Sequence, residues 1–368
     1  MRVLIAGGGS GGHIFPAVAL IPALRDQEEA IDVLLVGSGR DLDKRILKKE
    51  GVPHAFLSAN KMPTGFTVRL VPFIFWLMID LLRGIFLVLS YRPSVIVGFG
   101  GYVSLPLIVA GACCCVPNIV HEQNVIPGRA NMVLCRFAKK VAVSFSETVR
   151  YLSGMREKVV ITGNPIRTDI TRLSRSEALR RIGLEEGRLT LLIMGGSQGS
   201  SNLNRIVVGS IEILGQSVRQ GIQIIHLSGR QDFDWLSERY RRIGIPHKVF
   251  SFIEDIGQVY SACDLAVSRA GSSALFELAA FAKPMILVPY PYAMQHQSEN
   301  ALAFSKNDAA LSAEEKDISP ESFRDILERL IMDKERMSVL SKNAYSLSVP
   351  DASHRLACEV IALARRAQ

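Results

Sequence analysis

The chain has 368 residues, 48% of them hydrophobic and 21% charged, which is typical of a soluble α/β enzyme with about two or three domains. Its net charge of +8 comes from the first half: residues 1–167 carry 19 Lys and Arg against 11 Asp and Glu, whereas residues 168–368 carry 24 of each. The sequence lacks zinc-finger spacing, an RNP-like motif and a basic tract, so we exclude nucleic acid as a partner. The uneven charge predicts an anionic substrate or lipid surface on one side.

The first predicted element is a short strand that leads into a glycine-rich turn. The apolar run 3–6 is followed by GGGSGG at residues 7–12, then by His13 and Pro16 at the start of a helix. Glycines let a ligand approach the backbone closely, and free N–H groups at a helix start attract anionic groups. The pattern predicts a nucleotide or sugar site. Because only two residues precede the strand, we expect the protein to stay in the cytosol.

The same glycines fit the G-x-G-x-x-G pattern of dinucleotide-binding proteins, which alone is weak evidence. Such a fold needs an acid at the end of its second strand, where it binds the ribose hydroxyls. Here the second predicted strand ends with Val36, Gly37 and Ser38, without an acid. The sequence therefore argues against an NAD-dependent oxidoreductase.

The segment 61–92 is both apolar and basic. Its longest uninterrupted apolar run, 73–79, is much shorter than the about 18 to 20 residues that a bilayer-spanning helix needs, so we expect no crossing. Two interpretations stay open: a helix pair buried in the domain core, or an apolar surface that enters an anionic membrane interface. The uneven charge favours the membrane surface. The side chains expected at that interface are three aromatic and three basic residues: Phe73, Phe75, Trp76, Lys61, Arg69 and Arg83.

Four strand-and-loop segments of the first half recur in the same order in the second half. The matching pairs are the opening segment with 190–200, 32–43 with 223–234, 95–104 with 265–274, and 115–124 with 282–291. The repeat predicts two Rossmann-like, doubly wound parallel-sheet domains that face each other across a ligand cleft. We expect a first domain at 1–163, a second at 164–345, and a C-terminal helix at 346–368 that packs back on the first domain.

Seven motifs together closely resemble the MurG family of glycosyltransferases. In chain order they are GGGSGGHIFP, GFGGYVS, HEQN at 121–124, GNPIR at 163–167, GGSQGS at 195–200, SRAGSSALFE at 268–277 and HQSENA at 296–301. They follow the family's order over nearly the whole chain. The resemblance implies the GT-B fold, two facing Rossmann-like domains, which the internal repeat predicts independently.

This resemblance also implies an activity. A member of the family moves N-acetylglucosamine from UDP-N-acetylglucosamine (UDP-GlcNAc) to the 4-hydroxyl of N-acetylmuramic acid in lipid I, the undecaprenyl-diphospho-muramoyl-pentapeptide, and forms lipid II for peptidoglycan. The implied reaction is a single displacement that inverts the anomeric carbon. We expect a peripheral protein at the cytoplasmic face of the inner membrane, bound to anionic lipid through 61–92, with cell-wall synthesis proteins as partners and no cofactor.

By the same resemblance, the donor site lies in the second half. Ser197 would bind donor phosphate or sugar oxygens together with helix-start N–H groups, and the backbone of Ile253 would recognise uracil. Glu277 would accept hydrogen bonds from the ribose hydroxyls. A capping role for Ser197, a core-strand position for Ile253 and a solvated position for Glu277 stay open as alternatives. The other donor positions follow two helix starts: Ser272, Ser273, Ala274, Leu275, Phe276, His296, Gln297 and Asn300.

On the acceptor side, the resemblance assigns the binding of the sugar diphosphate to Ser10, Gly11 and Gly12. His13 titrates near neutrality and would be the general base that removes the proton from the attacking hydroxyl. A histidine that merely caps the helix is the alternative, and Glu122 is a second candidate base. Two further residues would contact the donor sugar from across the cleft: Asn124 and Arg167.

Two D-x-D triplets, Asp41/Asp43 and Asp232/Asp234, resemble the Mn²⁺ or Mg²⁺ ligands of other glycosyltransferases. Both follow a glycine turn and open a polar helix, so helix-start acids explain them better and we expect no metal. Two other function classes stay open. One is an enzyme like UDP-GlcNAc 2-epimerase with the same fold, and the other is a non-catalytic protein that senses the membrane surface.

Overall fold

The computed structural model describes residues 1–58, 60, 70–167, 170–196, 198–293 and 295–366. The chain divides into two compact units, each with its own parallel β-sheet. Unit 1 consists of residues 1–168 and 350–368, and unit 2 of residues 169–349. The predicted fold class, an α/β protein of two Rossmann-like parallel-sheet domains, is confirmed. The domain ends placed from the sequence at 163 and 345 fall a few residues before these divisions.

Among its described residues, unit 1 contains seven strands and, in its first part, five helices. The strands are β1 (Arg2–Ala6), β2 (Asp32–Gly37), β3 (His54–Phe56), β4 (Val95–Gly98), β5 (Asn118–Glu122), β6 (Lys140–Val143) and β7 (Val159–Ile161). The helices are α1 (Gly11–Gln27), α2 (Asp41–Glu50), α3 (Leu70–Tyr91), α4 (Gly101–Cys113) and α5 (Arg129–Phe137), with a 3-10 segment at Ser146–Lys158. Helices cover a parallel sheet on both faces, and accordingly Val3, Leu4 and Ile5 of β1 are all fully buried.

Unit 2 contains six strands and nine helices in the part of the chain that the structure describes. The strands are β8 (Leu189–Met194), β9 (Ile222–Leu227), β10 (His247–Phe250), β11 (Leu265–Ser268), β12 (Met285–Leu287) and β13 (Leu311–Ser312). The helices are α6 (Arg175–Ile182), α7 (Ser201–Glu212), α8 (Gln216–Gly221), α9 (Phe233–Ile243), α10 (Ile256–Ala262), α11 (Ser272–Ala280), α12 (His296–Lys306), α13 (Pro320–Met332) and α14 (Lys334–Leu347). A 3-10 turn lies at Glu315–Asp317.

The two sheets have the same internal order. In unit 1 the strands lie in the order β3-β2-β1-β4-β5-β6-β7, and in unit 2 in the order β10-β9-β8-β11-β12-β13. Strands β8, β9, β11 and β12 therefore occupy the places of β1, β2, β4 and β5. These are the four segments that repeat in the sequence, so the sequence repeat is also a repeat of structure.

Helix α3 is one uninterrupted helix of 22 residues, so the alternative of a helix pair is wrong. One side packs on α4, where Phe73 meets Tyr102 edge to face and a side chain at Gly84 would lie 3.1 Å from the Pro106 carbonyl oxygen. The opposite side is exposed, so burial in the core is also wrong. Its exposed apolar side chains form a stripe at helical spacing: Val71, Ile74, Phe75, Met78, Leu82, Phe86 and Leu89.

The predicted interruptions do not break α3. Asp80 is only 3% exposed and accepts a hydrogen bond from the Ser58 N–H at 3.1 Å, so it faces unit 1. Within the described residues, Val71–Tyr91 is the one helix long and apolar enough to cross a membrane, by length and composition alone. The expectation that the segment is too short is therefore wrong. Two basic residues expected at the interface, Lys61 and Arg69, lie outside the described residues.

The last helix, α15 (Ala352–Arg365), belongs to unit 1 and packs along α1. Its buried residues Leu356, Val360 and Ala364 join the core formed by β1 and α1. At the rim, Lys140 forms an ion pair with Glu359. The chain thus returns to unit 1 after completing unit 2.

Candidate functional site

The glycine turn of unit 1 lies at the carboxyl end of β1, the edge where doubly wound sheets bind their ligands. Helix α1 begins at Gly11, and the N–H groups of His13 and Ile14 both donate to the Ser10 carbonyl. The N–H groups before these, at the very start of an α-helix, have no acceptor within the helix. The structure thus brings Ser10, Gly11, Gly12 and His13 into one turn that is suited to sugar or diphosphate oxygens.

His13 lies half-buried at the first turn of α1, with its Nδ1 3.1 Å from the Ser10 hydroxyl oxygen. Burial lowers the pKa of His13, while the charges of Glu122 and Asp43 and a hydrogen bond to the Gly8 carbonyl partly oppose this effect. A lowered pKa keeps the imidazole neutral at pH 7, and a base must be neutral to accept a proton. The environment of His13 is compatible with the predicted role.

Glu122, the second candidate base, is saturated by hydrogen bonds from its own unit. Only 1% of it is exposed. Its Oε1 accepts from the N–H and the side-chain amide of Asn124 at 2.9 and 3.1 Å, and its Oε2 accepts from the Gly128 N–H at 3.0 Å and the Asn131 amide at 2.7 Å. The carboxylate fastens the loop after β5 to the start of α5. These contacts favour a structural role over proton transfer.

Arg167 lies beside the first turn of α1. Its guanidinium stacks over the Phe15 ring, 4.5 Å from the ring centroid. The preceding stretch is tied to β5 because the imidazole of His121, which sequence reasoning did not single out, bonds through Nε2 to the Gly163 carbonyl at 3.0 Å. The side-chain amide of Asn124 donates to Glu122, so this predicted ligand residue also holds the loop after β5.

The glycine turn of unit 2 follows β8 and leads into α7, in the place that the first turn occupies in unit 1. Ser197 lies outside the described residues. Gly199 has a φ of +77°, and a Cβ on it would lie 2.1 Å from the Ser228 carbonyl oxygen, so no other residue fits there. The backbone of the turn therefore packs directly against the loop that follows β9.

Arg269 joins the ends of three neighbouring strands in unit 2 and is only 4% exposed. Its Nη2 donates to the Ser200 hydroxyl at 2.5 Å, and its Nη1 donates to the carbonyls of Val288 and Pro289 at 3.0 and 3.1 Å. It also forms an ion pair with Glu315. Sequence reasoning missed this residue. The available signal is a lone basic residue inside the small-residue motif SRAGSS.

Helix α11 begins at Ser272, as the resemblance implies. Leu275 and Phe276 face the core, so only their backbone groups can reach a ligand. Glu277 is 6% exposed, and its Oε2 accepts a hydrogen bond from the Tyr260 hydroxyl at 2.9 Å, so the solvated alternative is wrong. The predicted donor positions on this helix occupy its first two turns: Ser272, Ser273, Ala274, Leu275, Phe276 and Glu277.

Helix α12 begins at His296 and is tied to the loop before α11. The Asn300 amide, which is fully buried, donates to the Ala270 carbonyl at 3.1 Å. The Gln297 Oε1 accepts from the Tyr290 N–H at 2.9 Å. The structure thus brings the polar start of α12 next to the start of α11, at the carboxyl ends of β11 and β12.

Ile253 lies half-buried in the loop between β10 and α10, so the core-strand alternative is wrong. Two residues later, Asp255 caps α10 and accepts from the Gly257 N–H at 3.2 Å. The loop leaves the carboxyl edge of the sheet, the same edge as the ends of β8 and β11. The backbone of Ile253 therefore lies at the ligand-binding edge of unit 2.

Both D-x-D triplets open helices, α2 and α9, as expected. Asp43 accepts a hydrogen bond from the Gly9 N–H at 2.9 Å, and Asp232 accepts one from the Asn204 amide at 2.8 Å. Across the described part of the chain, no three His, Cys, Asp or Glu side chains are grouped to hold a metal ion. Activity without a metal stays a prediction.

Comparison with known proteins identifies the family. The N-terminal domain model of glycosyltransferase family 28 matches residues 3–143, and the C-terminal domain model matches residues 190–356. The UDP-N-acetylglucosamine–N-acetylmuramyl-(pentapeptide) pyrophosphoryl-undecaprenol N-acetylglucosamine transferase of Halalkalibacterium halodurans is 33% identical over 359 residues, which are 97% of this chain and 98% of that protein.

Two solved structures share the fold. Acinetobacter baumannii MurG has a TM-score of 0.77 and 24% identity, covering 98% of this chain and 99% of that chain. The UDP-GlcNAc 2-epimerase of Neisseria meningitidis has a TM-score of 0.70 and 11% identity, covering 98% of this chain and 100% of that chain. The structural likeness shows the fold, and the sequence relationship decides the family. The chain belongs to the MurG family of UDP-N-acetylglucosamine–N-acetylmuramyl-(pentapeptide) pyrophosphoryl-undecaprenol N-acetylglucosamine transferases, within glycosyltransferase family 28.

Proposed function

We propose that this protein transfers N-acetylglucosamine from UDP-GlcNAc to the muramoyl sugar of lipid I. The observation that carries the proposal is the match at 33% identity, over 97% of the chain, to a transferase whose name describes this reaction. The alternative, a 2-epimerase activity, has only a shared fold at 11% identity in its favour. One fold supports many activities, so that likeness alone assigns no reaction.

The acceptor chemistry falls to unit 1 in this proposal. His13 accepts the proton of the muramoyl 4-hydroxyl while the hydroxyl oxygen bonds to the anomeric carbon of the donor. The bond from that carbon to the UDP oxygen breaks, UDP leaves with its electron pair, and the configuration inverts. The half-buried, neutral imidazole beside Ser10 supports this role, and the saturation of Glu122 leaves His13 as the preferred base.

The donor binds to unit 2 in this proposal. Helices α7 and α11 both begin at the carboxyl edge of the sheet, behind neighbouring strands, and the positive ends of their dipoles suit a diphosphate. Arg269 fixes the start of α7 through Ser200. We assign Glu277 to the ribose hydroxyls and Gln297 to the sugar hydroxyls.

We propose that unit 1 rests on the cytoplasmic surface of the membrane through α3. The exposed stripe of α3 would enter the lipid interface, with Trp76 and Arg83 at its flank as an aromatic and a basic anchor. A crossing helix would draw its partner α4 and the nearby sheet into lipid, where exposed backbone groups find no hydrogen bonds. The packing on α4 therefore favours a helix that lies on the surface.

A transfer assay with UDP-GlcNAc and a lipid-linked muramoyl pentapeptide tests the function. We expect the acceptor to gain one N-acetylglucosamine by mass, with one UDP released per transfer and full activity in EDTA. Epimerised UDP-sugar formed without an acceptor would instead identify an epimerase. Vesicle binding with neither product would identify a non-catalytic membrane protein.

Two variants test the division of roles between the units. His13→Gln should lower kcat by about 10² to 10⁴ because the general base is lost, while calorimetric binding of UDP persists. Glu277→Gln should weaken UDP binding itself. Asp234→Asn, at an exposed acid of unit 2, is the matched control and should leave UDP affinity unchanged. Equal effects of Glu277→Gln and Asp234→Asn would contradict the ribose assignment.

A further inference from the structure

Asp43 is a fully buried carboxylate that joins two loops of unit 1. Its Oδ2 accepts hydrogen bonds from the Ser38 N–H at 2.8 Å, the Ser38 hydroxyl at 2.5 Å and the Gly9 N–H at 2.9 Å. Its Oδ1 lies 3.2 Å from the same Gly9 nitrogen. One side chain thus fastens the loop after β1 to the loop after β2.

The contact between Asp43 and the glycine turn is close. A Cβ on Gly8 would lie 2.4 Å from the Asp43 Oδ2, so the approach of the carboxylate requires glycine at this position. The Arg40 guanidinium also holds the turn, because it donates to the Gly9 carbonyl at 2.9 Å. Both polar groups of Gly9 are therefore held by side chains, although glycine itself restricts the backbone least.

The residue after Gly9 is Ser10, whose hydroxyl contacts the imidazole of His13. We propose that Asp43 is a positioning residue for the transferase reaction, which holds the glycine turn so that Ser10 and His13 meet the acceptor in one fixed orientation. This inference rests on the proposed function, in which His13 is the general base. A charged acceptor suits the task because its hydrogen bonds to backbone N–H groups are shorter and stronger than neutral ones.

Unit 2 bridges the same two places with different residues. The Asn204 amide at the start of α7 donates to the Ser228 carbonyl at 3.0 Å and to the Asp232 carboxylate at 2.8 Å. Its own oxygen accepts from the Nε2 of His226 at 2.9 Å. In both units an acid that follows the second strand helps to fix the turn that follows the first strand. The recurrence supports a role tied to the turns themselves.

Asp43 also acts on His13 through its charge. Three groups favour the protonated ring and oppose the effect of burial: the Glu122 carboxylate at the end of β5, the Asp43 carboxylate on α2 and the Gly8 carbonyl after β1. The Arg40 cation is bonded to the Gly9 carbonyl. Removal of the Asp43 charge should therefore lower the pKa of His13 further. A purely structural loss would leave that pKa in place.

The test compares Asp43→Asn with Asp41→Asn, an exposed acid in the same first turn of α2. We expect Asp43→Asn to lower kcat by about 10- to 100-fold, because a misplaced catalytic group costs that much. The KM for UDP-GlcNAc should not change, and the acid limb of the pH–rate profile should move to lower pH. Asp41→Asn should match the wild type in all three measurements.

Ser38→Ala keeps the charge and removes one donor, so it covers the case in which Asp43→Asn folds poorly. We expect Ser38→Ala to lower kcat moderately, with a small decrease in melting temperature from the lost hydrogen bond to a buried charge and an unchanged acid limb. The inference is overturned if Asp43→Asn keeps the kcat of Asp41→Asn. It is also overturned if kcat falls only in proportion to folded protein, or if Ser38→Ala retains full kcat.

The failures of the inference and of the proposed function give different results. A wild-type protein without transfer activity, or a His13→Gln variant with full kcat, would overturn the proposed function and this inference with it. A wild type that transfers and a His13→Gln variant that does not, together with an unaffected Asp43→Asn variant, would overturn the inference alone.

Discussion

At the scale of single residues, the number of hydrogen bonds that a buried carboxylate accepts from its own protein decides whether it can act as a base. Glu122 and Asp43 are both buried near His13. Two backbone N–H groups and two side-chain amides fill the lone pairs of Glu122, whereas Asp43 accepts from two backbone N–H groups and the Ser38 hydroxyl. A carboxylate that its own protein saturates has no lone pair left for a substrate proton. Each acid therefore shapes a loop and adds negative charge near the imidazole, and proton transfer falls to the histidine.

The role of Glu122 can be tested through stability. Glu122→Gln replaces one accepting oxygen with a donating amide, which then faces N–H groups. We expect a loss of roughly 2 kcal/mol in the free energy of unfolding, because hydrogen bonds to a charged group are lost and a buried donor is unsatisfied. Urea unfolding checks the value, with Glu157→Gln, at an exposed position of the same unit, as the control. A normal stability combined with a lost kcat would instead restore Glu122 as a base.

The sequence locates the site residues better than it assigns their partners. Glycine turns and helix starts are local patterns, so the turn at 7–12 and the start of α11 could be predicted from neighbouring residues. The hydrogen bonds of Asp43 and Arg269 link loops that are distant in sequence. The order of the strands in the sheet decides which loops are neighbours, and the sequence does not state this order directly. For this reason the sequence indicates only a helix-start acid at Asp43 and does not single out Arg269.

At the scale of elements, α3 shows how context changes the meaning of an interrupting residue. Pro72 lies in the first turn of the helix, where a proline is tolerated, and Asp80 and Gly84 face the body of unit 1. The interruptions therefore stay within one continuous helix. Sequence order alone could not separate the packed face from the exposed face, because that division depends on where α4 lies.

The exposed stripe predicts a measurable membrane affinity. Replacing Leu82 and Phe86, which are 63% and 72% exposed, with Ser should weaken binding to phosphatidylglycerol vesicles by about tenfold or more, because burial of each such side chain is worth about 1.5 to 3 kcal/mol. Co-sedimentation measures the effect. The melting temperature should change little, since neither side chain packs inside unit 1.

Met332→Ser provides the matched control, because Met332 is also 72% exposed but lies in unit 2. It should leave vesicle binding unchanged. Alkaline carbonate should release the wild-type protein from membranes. A protein that only detergent extracts would contradict the surface position and indicate a crossing helix.

At the scale of the whole molecule, the double-domain architecture was predictable because the sequence repeats itself. Four matched segments, each a strand with its loop, are enough to require two sheets of one order. The return of α15 to unit 1 and the exposure of α3 are consequences of packing between distant elements. Contacts between distant elements are only weakly encoded in local sequence patterns, so these two features are hard to predict from the sequence.

Each unit contains a fully buried histidine that couples stability to pH, His121 in unit 1 and His226 in unit 2. Burial lowers the pKa of His121 to about 4 and that of His226 to about 3, from an ordinary value of 6.5. Between pH 6.5 and the lowered pKa of each histidine, the unfolded chain binds more protons than the folded chain. The stability that depends on the histidine is therefore complete above pH 6.5 and falls as the pH decreases. We expect each unit to lose about 1.4 kcal/mol per pH unit from its histidine between pH 6 and 4.

Thermal unfolding between pH 7 and 4 checks this expectation. His226→Gln should flatten the pH dependence of unit 2 even though its absolute stability decreases, because the variant has no proton to bind there. His121→Gln should do the same for unit 1. Unchanged slopes in both variants would show that other groups cause the acid sensitivity.

The passage of the chain through unit 2 and back has a consequence for synthesis on the ribosome. Unit 2 is a continuous stretch, so it can fold as soon as it has emerged. The core of unit 1 must wait for Leu356, Val360 and Ala364, although its first strand is made at the very beginning. Unit 2 can therefore complete its fold before unit 1, although unit 1 begins first. The apolar side of α1 that packs on α15 stays uncovered until α15 has been synthesised.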